Sequence, residues 1–207
     1  KEGHAASRER WTACTFCVSD KTRAQEVPPL QVMFKAGGET LARKLQQFIP
    51  NWAPWLTVVT SPKGSYREDD VLNLLETVLP KLEDERPWRI LLLDAYAAHL
   101  TDRVRKCAWH LGYVVITHGG GASSICQAND TDLHAPMKRQ YVDMETEDNI
   151  AQQRIQPRCC PSARRSDIIS WIACIWFQTS LHVNAAQGFK KTGMSNDLTG
   201  SEDAEIV

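Results

Sequence analysis

The stretch ILLLDAY at 90–96 constrains this chain most, because a continuous apolar run that stops abruptly at an acid is the pattern of a buried strand ending at a functional edge. Thr101 then offers an N-cap for a helix reaching His110, Gly112 stops that helix, and YVVIT at 113–117 supplies a second apolar strand. Strand, helix and strand in that order predict a β-α-β unit with a parallel pair. Both strands are expected to be buried on both faces. The fold class is therefore α/β.

Upstream, WTACTFCVS (11–19) and PLQVMFKA (29–36) favour β structure and suggest a hairpin with a long loop. GETLARKLQQF can start a helix before Pro50 and Pro54, and LTVVT (56–60) is a further strand candidate. From Tyr66 the residues Val71, Leu74, Leu75, Val78 and Leu79 recur at helical steps behind an acidic first turn of Glu68, Asp69 and Asp70. Downstream, Leu133, Met137 and Tyr141 keep helical spacing, and DIISWIACIWFQTSL (167–181) predicts a last, strongly apolar helix. IQPRCCPSARR reads as an exposed linker.

A chain of 207 residues with 43% hydrophobic content suits one domain with a sizeable core. With 24 basic and 25 acidic side chains the net charge is −1, so any contact with nucleic acid must be local. Seven cysteines, at 14, 17, 107, 126, 159, 160 and 174, are odd in number and scattered, which opposes a secreted disulfide framework. Cys14 and Cys17 are spaced as CxxC, but a strand would turn them to opposite faces, so a metal pair is disfavoured. No apolar run reaches the roughly 18 residues of a membrane span, and KEGHAASRER lacks the apolar stretch of a signal peptide. The opening lysine suggests a fragment.

Asp94 is the first candidate ligand. Magnesium prefers oxygen donors, and open α/β sheets present ligands at the carboxyl ends of their strands. The plainer alternative is an Asp capping the next turn. ILLLDAYAAHLTDRV resembles the block in which DDE superfamily endonucleases of pogo/mariner-type transposases, including centromere-protein-B-like and jerky-like relatives, end a strand in Asp before an Ala and a His. Asp94 and His99 fall on that motif, while Ala95 and Tyr96 depart from it. SSICQANDTDLHAPMKRQY is similar to the family stretch that carries the third catalytic carboxylate. Asp130 matches that acid, and Gln127, Pro136 and Lys138 match around it. Ala128 and Asn129 replace the usual Pro-Leu, and Asp132 stands where a glycine is common. ERWTACTFCVSDKTRAQEVPPLQVMFKA (9–36) looks like the family's hairpin and GFKKTGMSNDLTGSED like its closing segment, so the likeness spans residues 8–203, with 1–7 and 204–207 expected to be disordered ends.

The resemblance implies an RNase H-like mixed sheet with flanking helices, whose first, central strand is missing. It implies Asp94 and Asp130 as catalytic and metal-binding residues for Mg²⁺ or Mn²⁺, with His99 and Gln127 in support and Lys138 and Arg139 meeting DNA. Nuclear localisation follows from it as well. The first carboxylate of the family has no counterpart, since Glu2 and Glu9 lie in polar sequence without an apolar strand. Asp94 and Asp130 alone supply −2 against the +4 of two divalent ions, so cleavage is expected to be weak or lost. A second copy, or a segment of a parent chain, could supply the lost strand. The family's helix-turn-helix module is also absent, which removes sequence-specific reading.

Two alternatives and one further feature stand beside this. The scaffold could be a non-catalytic interaction platform. His118 with Gly119, Gly120 and Gly121 could be a phosphate loop of a Rossmann-like enzyme, although neither glycine fingerprint is present. Trp52 and Trp55 could stack on bases.

Overall fold

A computed structural model describes residues 11–19, 29–79, 88–118, 128–155, 164–196, 198–202, 204 and 206. Gln127, the Gly119–Gly121 loop, the IQPRCCPSARR linker up to residue 163 and the ends at 1–7, 205 and 207 lie outside them. The described residues form two compact units. Both mix helices with strands, so the α/β class holds. Among them no helix is long and apolar enough to cross a membrane.

The first unit takes in residues up to Thr15, then 30–65 and 134–181. Its sheet has the order β1 (Trp11–Cys14), β2 (Leu30–Lys35), β3 (Leu56–Ser61). β1 and β2 pair antiparallel with Trp11 opposite Phe34, which is the expected hairpin. LTVVT does form a strand, and β3 runs parallel to β2 with Val32 opposite Val58. Flanked on both sides, β2 is buried from Leu30 to Phe34, as an apolar central strand should be. α1 (Glu39–Gln46) fills the crossover between β2 and β3.

Two long helices complete this unit. α4 (Ala135–Ile155) and α5 (Arg165–Trp176) pack on each other, and α5 buries Ile168, Ile169, Ile172, Ile175 and Trp176. The amide of Arg164 donates to Asp167 Oδ2 at 3.1 Å, which closes the first turn of α5. Trp52 packs edge-on against Phe177 with ring centroids 5.5 Å apart and lies 6.3 Å from Trp55, so the three rings form one aromatic cluster within the unit.

The second unit takes in residues 16–29, 66–133 and 182 onward. Here α2 (Glu68–Val78) buries Val71, Leu74, Leu75 and Val78, four of the five positions marked by its periodicity, and the fifth, Leu79, is buried as its C-cap. The β-α-β unit is present as β4 (Arg89–Leu93), α3 (Asp102–His110) and β5 (Tyr113–Thr117), with β4 and β5 parallel. Thr101 caps α3, its hydroxyl accepting from the Val104 amide at 3.3 Å, and Gly112 at φ 89° turns the chain into β5.

Two expectations need correction. β4 and β5 are not buried on both faces: Ile90 is 64% exposed, and Val114 and Ile116 are 37% and 46% exposed. α3 covers the face that carries Leu91 and Tyr113, and among the described residues no third strand joins this pair to cover the other. The helix predicted over 167–181 is not the last, because it stops at Trp176 and α6 (Thr179–Lys191) follows it.

Candidate functional site

Asp94 follows β4 directly, at the carboxyl end of a parallel strand. Its Oδ1 accepts from His99 Nδ1 at 2.5 Å and from the Tyr96 amide at 3.3 Å. The second bond closes a turn two residues long, which is the plain capping role of an aspartate. The first puts His99, on a short 3-10 turn at Ala97–His99, against the same oxygen. His99 and Asp94 are thus joined by a bond within one short loop, five residues apart.

Tyr96, a departure from the family motif, pins this loop. Its hydroxyl donates to the Tyr66 carbonyl at 2.8 Å and its ring meets His99 edge-on at 5.4 Å. Beside it, Arg103 on α3 reaches Glu68 at 2.7 Å and Asp69 at 3.0 Å at the start of α2. A hydrogen bond from Thr101 and the Arg103 guanidinium hold the Glu68 carboxyl below its usual range. Glu68 thus favours the fold at neutral pH, and that contribution fades as pH falls through its folded value. Just past β5, the His118 amide donates to Leu93 O at 3.3 Å, extending the ladder beside Asp94.

Asp130 is half-buried on a π-helical turn, Asn129–His134, that leads into α4. Lys138 and Arg139 are both exposed on the first turns of α4. Asp132 is nearly buried and its Oδ1 takes Lys191 Nζ at 2.5 Å, so this second acid of the segment serves an ion pair with α6. Gly188 passes so close that an added Cβ would lie 2.8 Å from Asp132 Oδ2 and 3.2 Å from the Ala128 carbonyl. Helix propensity alone would favour Gly188→Ala by about 1 kcal/mol. The clash falls on a backbone carbonyl and a tethered carboxylate, so Gly188→Ala is expected to destabilise by about 1–3 kcal/mol in urea denaturation.

Asp94 and Asp130 are two carboxylates, and among the described residues no group of three or more His, Cys, Asp or Glu is arranged to hold an ion. Cys17 offers no thiolate either, because burial pushes its thiol up to about 12. No protein-family model, curated protein or solved structure matches the chain.

Proposed function

We propose that this chain is a domain derived from a DDE transposase endonuclease, RNase H-like in ancestry, that contacts nucleic acid and whose metal-dependent cleavage and strand transfer is weak or lost. The observation that carries the reading is Asp94 at the carboxyl end of β4 with His99 bonded to it at 2.5 Å, inside a β-α-β unit, with Asp130 on a turn further along the chain. The order of hairpin, acid-ending strand, capped helix, strand and acid-bearing turn supports it too. Mg²⁺ or Mn²⁺ is the ion this reading assigns to Asp94 and Asp130, and the nucleus is its compartment. A second copy of the chain, or a further segment of the same protein, is the protein partner this reading assigns beside DNA.

DNA binding gives the direct test. With a net charge of −1, affinity for duplex DNA is expected to be weak, independent of sequence and steeply salt-dependent. The double variant Lys138→Ala, Arg139→Ala removes two phosphate contacts, so the slope of log K against log salt should shrink by roughly 1.8 in fluorescence anisotropy. An unchanged slope and affinity would remove these residues from the interface.

A second reading, a non-catalytic interaction platform on the same scaffold, is favoured by the open apolar face of Ile90, Val114 and Ile116. Metal titration separates the two. A Mn²⁺ response that needs both Asp94 and Asp130 supports the endonuclease lineage, and no response supports the platform.

A further inference from the structure

The first unit contains a cavity of about 520 Å³, within the roughly 300–1,000 Å³ of small-molecule sites, and all its lining residues belong to that unit. Its walls are apolar: Trp11 on β1, Met137 and Tyr141 on α4, Ile172 and Ile175 on α5. Trp11 and Tyr141 pack with ring centroids 5.0 Å apart, and Tyr141 in turn meets Trp171 edge-on at 5.8 Å, so the aromatic wall is held from behind. The polar groups are few. Thr15 Oγ1 and His134 Nε2 lie 2.7 Å apart, and Lys138, four residues beyond His134, brings a cation.

No acidic side chain is among the described residues that line this cavity. A cationic ligand would therefore meet Lys138 with nothing to offset it. A nucleobase would need several donors and acceptors along its edge, where these walls offer mainly Ile, Met, Val and aromatic surface. What remains is an apolar body with one negative end. We propose that the cavity binds an amphipathic monocarboxylate, medium-chain or aromatic, with its body against Trp11 and Tyr141 and its carboxylate at Lys138 beside the Thr15–His134 pair.

This site shares Lys138 with the nucleic-acid reading but needs neither Asp94 nor Arg139, so decanoate binding that persists in Arg139→Ala is read separately from DNA binding. The test is calorimetric titration of the full chain with decanoate and with decanamide, its uncharged counterpart. Decanoate should bind saturably at one site per chain, and both decanamide with the parent and decanoate with Lys138→Ala should bind at least tenfold more weakly. Lys138→Arg should keep most of the affinity. Val142 lines the same cavity and is more than half exposed, so Val142→Trp narrows the mouth without entering the core and should abolish binding while the thermal melting curve stays put. Ala13→Leu narrows it from the strand side and should do the same. Absence of saturable decanoate binding, equal binding of decanamide, or full affinity in both narrowed variants would each overturn the proposal.

Discussion

Phe34→Ala is expected to cost the first unit about 3–5 kcal/mol, the largest loss of any single truncation in its sheet. Phe34 is wholly buried near the end of the central strand, opposite Trp11 on one side and Thr60 on the other. Arg165 stands over its ring with the guanidinium carbon 5.8 Å from the centroid, and the same side chain donates to the Lys35 carbonyl at 3.3 Å. Removing the ring leaves a void between paired strands that cannot close without breaking ladder bonds, and it also strips the surface on which Arg165 rests. Against a total stability of roughly 5–15 kcal/mol, a change of this size moves a urea midpoint far outside error. Phe48 is the control, being about half exposed in the same unit, and its alanine variant should lose under about 1 kcal/mol. Equal midpoints for the two variants would mean that β2 is not the centre of this core.

What the sequence shows and what it hides divide by distance along the chain. α2 and α3 were legible because their signals are local: four buried positions at helical steps, and a Thr101 hydroxyl bonded three residues ahead. The Asp94–His99 bond spans five residues and falls within one motif. By contrast Tyr96 meets Tyr66 across 30 residues, Lys191 meets Asp132 across 59 and Thr15 meets His134 across 119. No periodicity carries those pairings. An aromatic just after the acid at a strand end was the one available hint of Tyr96.

Ile90 and Leu91 show why an apolar run predicts more burial than β4 has. Both are apolar and adjacent, so the run looks two-sided, yet Leu91 is buried and Ile90 is open. Apolar composition records what a strand can tolerate, whereas burial depends on which elements arrive to cover it. The open face of Ile90, Val114 and Ile116 is where a sheet with another strand or layer would find its cover, and that is the same feature which favours an interaction role.

The second large effect concerns chemistry. In a nicking assay on supercoiled plasmid with Mg²⁺ or Mn²⁺, a polypeptide of these 207 residues is expected to cleave at least about a thousandfold more slowly than a complete three-carboxylate site would, and so to stay near the metal-free background. The reason is electrostatic. Two divalent ions bring +4, and Asp94 and Asp130 return −2, so water and phosphate would have to hold most of the second ion's shell. Asp94 is further committed, because Oδ1 already accepts from His99 and from the Tyr96 amide. His99→Ala releases one of those bonds without adding a ligand, so it should leave the rate at background. Robust nicking that disappears in Asp94→Ala would show that a third ligand reaches this carboxylate, and the charge argument would then fail. Nicking that persists in Asp94→Ala would instead indicate a contaminating nuclease, which repurification of the same variant to constant specific activity resolves.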